Sequence, residues 1–222
     1  MKLVLLFGFL ILMAIGMFLA CQNKTKKTEN DAFGKILNDP RVNSKKVGEQ
    51  NGIKYFQIVE NGKMGFRDLD GKVVIEPKFD DVEMFSEGYS AVQMGDKWGL
   101  IDETGKYKIE PGFEYLGSVH DGLLSYRQND KYGFIDVSGK QKIKPQFEWV
   151  DDFSEGLCVV RNHKGLHGYI DTAGKLVIPF QFEYAVKFEN GKGKFELNEL
   201  WGAIDKSGKI VEKPTHKYGD GW

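Results

Sequence analysis

Carboxylates are the side chains of this chain best placed to do chemistry. Asp68, Asp102, Asp136, Asp171 and Asp205 recur as one column, each opening an Asp-x-x-Gly run. Acidic pairs, Asp80-Asp81 and Asp151-Asp152, form a second set with Glu83. Paired carboxylates can cleave glycosides or gather calcium, and a stacked column could make a metal ladder. Calcium needs six or more converging oxygens, and no loop here supplies an ordered set. Asp followed by Gly three residues on is the signature of a tight turn, in which the Asp side chain bonds the backbone two residues ahead. The turn reading accounts for every member of the column. The acidic pairs read as solvated loop charge.

The other reactive side chains give less. His120, His163, His167 and His216 have no metal-ligand spacing. His163 and His167 stand four apart, but Gly165 and Gly168 argue against a helix that would align them. Cys158 lies between Leu157 and Val159 and reads as a small buried hydrophobe. There is no phosphate loop, no dinucleotide fingerprint and no Gly-x-Ser-x-Gly elbow. The expectation is no catalytic residue, no metal and no cofactor, so not an enzyme. The competing class is an envelope hydrolase acting on glycan or peptidoglycan through the loop carboxylates.

The elements that must hold these residues are set by a repeat of about 34 residues. WGLIDETGK starts at Trp98, YGFIDVSGK at Tyr132, HGYIDTAGK at His167 and WGAIDKSGK at Trp201. MGFRDLDGK at Met64 is an earlier copy. Each repeat reads as three short strands with glycine turns between them. Pro77, Pro111, Pro145 and Pro214 end the second strand or put it at a sheet edge, since proline cannot donate to a ladder. Phe79, Phe113, Phe147 and Phe182 follow and are expected in the core. A second glycine marker, Phe-Ser-Glu-Gly at 85–88 and 153–156, precedes the third strand. Glycines at 99, 105, 112, 117 and 122 leave no room for paired helices of the tetratricopeptide kind. The expected fold is all-β, an open, elongated antiparallel array of three-stranded units. The alternative is a closed β-propeller, which needs four strands per blade and about 40 residues.

Domain limits follow. Residues 1–20 are a single-Lys n-region and an apolar run, a secretory signal. Phe18-Leu19-Ala20-Cys21 looks like the lipobox of bacterial lipoproteins, although Phe18 stands where Leu is usual. The match implies that Cys21 carries lipid. An uncleaved anchor is the other reading, because the apolar run is just long enough to cross a bilayer. Residues 21–50 form a basic, flexible tether: from Gln22 to Gly48, Lys24, Lys26, Lys27, Lys35, Arg41, Lys45 and Lys46 face only Glu29, Asp31 and Asp39. The body, 51–222, is net acidic, which argues against a nucleic-acid partner. Within it a cap strand takes 54–60. Repeats take 63–96, 97–130, 131–165 and 166–199, and a partial repeat takes 200–222.

The aromatic-Gly pairs, the Ile-Asp, the Gly-Lys turn, the Ile-x-Pro-x-Phe segment and Phe-Ser-Glu-Gly together resemble the WG-repeat proteins of bacteria. The resemblance covers about Lys54 to Pro214, with Met64, Tyr132 and His167 in place of Trp. It implies a β-rich repeat fold and no shared enzymatic activity. The column Trp98, Tyr132, His167 and Trp201 either packs repeat on repeat or lines a ligand or partner surface, and packing is preferred. The expected role is binding or scaffolding at the bacterial cell envelope, on the outer membrane or cell surface if Gram-negative. Envelope proteins or glycan are the expected partners, and the membrane is reached through the lipid anchor.

Overall fold

The computed structural model describes residues 54–217. The expected signal segment, Cys21 and the tether lie outside the described residues. Those described are strands and turns, with no helix among them.

The strands form five antiparallel sheets. The first is β1 (Tyr55–Glu60), β2 (Lys63–Asp68) and β3 (Val73–Phe79). The second is β4 (Asp81–Val82), β5 (Tyr89–Met94), β6 (Lys97–Asp102) and β7 (Tyr107–Phe113). The third is β8 (Leu123–Gln128), β9 (Lys131–Asp136) and β10 (Gln141–Phe147). β11 (Trp149–Val150), β12 (Leu157–Arg161), β13 (His167–Asp171) and β14 (Leu176–Phe182) make the fourth. β15 (Tyr184–Ala185), β16 (Gly193–Leu197), β17 (Leu200–Ile204) and β18 (Ile210–His216) make the fifth.

Two of these sheets hold the expected three strands. Three of the sheets carry a fourth strand of two residues, too short to leave a periodic signal. In the third sheet a single bridge, Leu116 to Tyr126, takes its place. The sheets are also out of phase with the sequence repeat. Residues 63–96 supply β2 and β3 to one sheet and β4 and β5 to the next. Each four-stranded sheet is thus built from two successive repeats, and no repeat completes a sheet alone.

The turns follow the Asp-x-x-Gly reading. Asp102 Oδ1 accepts from the amides of Thr104 at 3.0 Å and Lys106 at 3.2 Å. Gly105 closes the turn onto the Asp102 carbonyl with φ +79°, a conformation that glycine adopts without cost. Gly139, Gly174 and Gly208 match it at +83°, +82° and +84°.

The prolines do not end their strands. Pro77, Pro111, Pro145, Pro179 and Pro214 lie inside β3, β7, β10, β14 and β18, each an outer strand of its sheet. The register explains why an edge strand accepts them. Trp98 pairs with Phe113 while Leu100 pairs with Ile109, so β7 bulges between these pairs, around Pro111. Gly99 faces that bulge. A Cβ on it would lie 2.6 Å from the Ile109 carbonyl oxygen and 2.8 Å from the Pro111 nitrogen. The glycine of each aromatic-Gly pair is therefore fixed by contact of backbone with backbone.

By compactness the chain divides into two units. In the smaller, described residues 54–58 and Arg67–Lys72, the Arg67 guanidinium carbon stands 5.5 Å from the centroid of the buried Phe56 ring. The larger holds residues 59–66 and 73–217, and its core sits at the seams between sheets. One cluster joins Leu100 of β6 to Val119, Leu124 and Ile135. The next joins Phe134 of β9 to Phe153, Cys158 and Ile170, and a third joins Tyr169 of β13 to Phe188, Phe195 and Ile204. Across three seams an aromatic meets the next marker phenylalanine edge-on: Phe66 with Phe85, Phe134 with Phe153 and Tyr169 with Phe188. Phe79, Phe147 and Phe182 are core as expected. Phe113 is only half-buried, because it lines a groove of about 380 Å³ with Lys97, Glu114, Tyr126, Arg127 and Gln141.

Candidate functional site: the aromatic ladder and the loop carboxylates

The aromatic column occupies the first or second position of β6, β9, β13 and β17. It does not stand alone. A second aromatic column alternates with it: Tyr115, Trp149 and Tyr184, two residues after Phe113, Phe147 and Phe182. Ring centroids lie 6.3 Å apart for Trp98 and Tyr115 and 5.9 Å for Tyr115 and Tyr132. Beyond them Trp149 meets His167 at 6.0 Å, His167 meets Tyr184 at 5.3 Å and Tyr184 meets Trp201 at 5.8 Å. Such tilted and edge-on contacts bring positive ring edges to negative faces.

Burial divides the ladder. Trp98 is 8% exposed and His167 4%, so both are packing residues. Tyr132, Trp201, Tyr115 and Trp149 are half-buried, and Tyr184 is 41% exposed. His167 Nδ1 lies 3.0 Å from the Glu183 carbonyl oxygen, and burial holds its pKa below the ordinary histidine value. A neutral imidazole donating from Nδ1 fits that contact. It does the job of an aromatic ring and also fastens its neighbour strand.

The second aromatic column was missed from the sequence, yet a signal existed. Phe113-Glu114-Tyr115, Phe147-Glu148-Trp149 and Phe182-Glu183-Tyr184 repeat one pattern, with Phe79-Asp80-Asp81 as its non-aromatic copy.

The loop carboxylates do not form one site. Asp80 is held by Lys63 Nζ at 2.6 Å and the Gly95 amide at 2.8 Å, and the Lys63 bond keeps its carboxyl below the usual range. Glu148 binds Lys131. Asp81 and Asp151 each accept the next residue's amide, Val82 and Asp152. Asp152 differs: burial raises its carboxyl above the usual range, against the opposing pull of His120, whose Nε2 stands 3.3 Å from Asp152 Oδ2. Tyr115 is nearby and burial pushes its phenol up. Among the described residues no three His, Cys, Asp or Glu side chains come together as a metal would need. Cys158 is fully buried; its thiol donates to the Asp151 carbonyl at 3.1 Å, and burial pushes its pKa well up. Ser90 fills the same place in the second sheet, donating to the Glu83 carbonyl at 2.7 Å.

Four strands to a sheet is the blade pattern of propellers, and the solved structures that this chain resembles are propeller-like. Hsv2p of Kluyveromyces lactis matches with a TM-score of 0.51 and 14% identity over 76% of this chain and 63% of its own. The computationally designed protein Ika8 matches at 0.51 and 11%, over 74% of this chain and 60% of its own. The chain therefore spans less than two thirds of either neighbour. The comparison with curated proteins finds no match. The model of the WG containing repeat matches residues 64–98, 98–132, 132–164 and 168–201. The chain belongs to the WG-repeat family.

Proposed function

We propose that this chain is a lipid-anchored protein of the bacterial cell envelope whose WG-repeat body binds or scaffolds a partner rather than catalysing a reaction. The observation that carries the reading is the uneven burial of the aromatic ladder. Its inner members, Trp98 and His167, lock sheet to sheet. Its outer members, Tyr184 above all, keep ring surface at water beside Trp201. Rigid rings held by their neighbours present large contact area at low entropic cost to an envelope protein or a glycan. Repeat arrays characteristically offer extended surfaces of this kind.

The loop carboxylates favour the same side. A glycosidase needs two carboxyl groups flanking one bond. Here Asp80, Glu148 and Asp151 are each tied to a local partner. The anchor part of the proposal rests on the apolar run before Cys21 and the polar segment after it.

Crosslinking in intact envelopes tests the surface. Tyr184→Ala with Trp201→Ala should lose the captured partner while Trp98→Phe keeps it. Equal capture by the double variant would end this reading. For the anchor, Cys21→Ser should abolish processing. Mass spectrometry showing an unmodified Cys21 within an intact N-terminus would refute it.

A further inference from the structure

The marker turns form a chain of carboxylate caps, and among the described residues the first turn of that chain has no cap. In each marker turn two successive residues have positive φ: Glu87 and Gly88 at 51° and 83°, Asp121 and Gly122 at 51° and 72°, Glu155 and Gly156 at 54° and 83°, Asn190 and Gly191 at 53° and 75°. This is the type I′ pattern, for which Asn-Gly or Asp-Gly is the usual choice. Glutamate is an unusual resident of that conformation. Its reach explains it. Glu87 Oε1 and Oε2 accept from the amides of Asp121 at 2.8 Å and Gly122 at 2.9 Å, in the next turn. Asp121 Oδ2 accepts from the Gly156 amide at 2.8 Å. Glu155 accepts from the Gly191 amide at 3.1 Å. Three turns in succession thus donate backbone amides, the glycine's in every case, to a carboxylate.

The Glu87–Gly88 turn has the same backbone. Among the described residues no carboxylate meets its amides. The residue one period before Glu87 is Ile53, which carries no acid.

We propose that the Glu87–Gly88 turn is a binding site for a carboxylate side chain, an aspartate or glutamate presented on a turn of a polypeptide. The three filled turns define the ligand chemistry: an acid on a short peptide loop, gripping the glycine amide in each and both amides in the Asp121–Gly122 turn. The site is separate from the aromatic ladder and stands whether or not that ladder binds a partner.

The test uses the ¹⁵N-labelled full chain in detergent, with acetyl-Phe-Ser-Glu-Gly-amide as probe and its Gln counterpart as control. The Glu87 and Gly88 amide signals should shift downfield and saturate with the Glu peptide and not with the Gln peptide. The Asp121 and Gly122 signals should stay fixed. Glu87→Gln weakens the cap on the second turn, so in that variant the Asp121 and Gly122 signals should respond as well. A shift that grows with protein concentration alone also supports the site and identifies a second copy of this chain as the donor of the acid. No shift at Glu87 and Gly88, or an equal shift with the Gln peptide, would overturn the proposal. So would a turn already downfield and unresponsive in dilute protein.

Discussion

At the scale of single residues, the two glycine columns do different work, and substitution separates them. Gly99→Ala drives a Cβ into the Ile109 carbonyl and the Pro111 nitrogen. Backbone on a bulge cannot step aside as a flexible side chain can, so the loss should be about 2–3 kcal/mol. Gly105→Ala meets only the side chain of Ile75, at 3.4 Å, and its cost is the strain of positive φ, about 1 kcal/mol or more. Denaturant unfolding should rank Gly99→Ala as the more damaging change; the reverse order would show that the close approach is not what fixes this column. His167 gives a pH signature. Burial lowers its folded pKa, so above about 6.5 both states are neutral and stability is complete. As pH falls below that value the unfolded chain takes the proton first. Stability is then lost progressively until the depressed folded pKa is passed. His167→Phe should flatten the fall in stability over that acidic window. A variant with the wild-type slope would place the titration elsewhere.

At the scale of strands and turns, the seams between sheets carry the fold. Ser154 Oγ donates to the Phe188 carbonyl at 2.7 Å, and Ser86 Oγ donates to the Val119 carbonyl at 2.6 Å. Each bond reaches about one repeat ahead. Alanine at either position leaves a half-buried carbonyl short of a donor and should cost about 1 kcal/mol, read from thermal or denaturant unfolding. A neutral Ser154→Ala would mean that water replaces the hydroxyl freely. These seams also mark the limit of what the sequence discloses. The turns were legible because Asp and Gly report backbone geometry directly, residue by residue. The two-residue strands were not, since Asp81–Val82 or Tyr184–Ala185 is too short to show alternation. Nor was the phase of the sheets, because a repeat has no natural first residue and its partner strands lie in the next copy. The ladder was half legible: Trp98, Tyr132, His167 and Trp201 stand in a visible column, while the rings that alternate with them sit in a segment that reads as loop.

At the scale of the whole molecule, the last described sheet differs from those before it in a way that bears on association. In each earlier outer strand an isoleucine lies under the turn glycine of the next repeat: Ile75 under Gly105, Ile109 under Gly139, Ile143 under Gly174 and Ile178 under Gly208. The corresponding residue of β18 is Glu212, opposite Ala203, and it pairs with Lys192 Nζ at 2.5 Å. Ala203 itself stands where Phe66, Leu100, Phe134 and Tyr169 fill the earlier seams. Ala203 is itself buried, and the half-buried Glu212 puts a paired charge beside it. An array of similar surfaces risks adding a second copy end to end, and a charge at the contact point opposes that. Glu212→Ile would remove that charge from the last described sheet. This variant should associate with rising concentration in sedimentation experiments at which the parent stays unchanged, and Glu212→Lys in the parent should not. If Glu212→Ile leaves the sedimentation of the protein as it was, this charge is not what limits association, and the contact must be blocked by another part of the molecule.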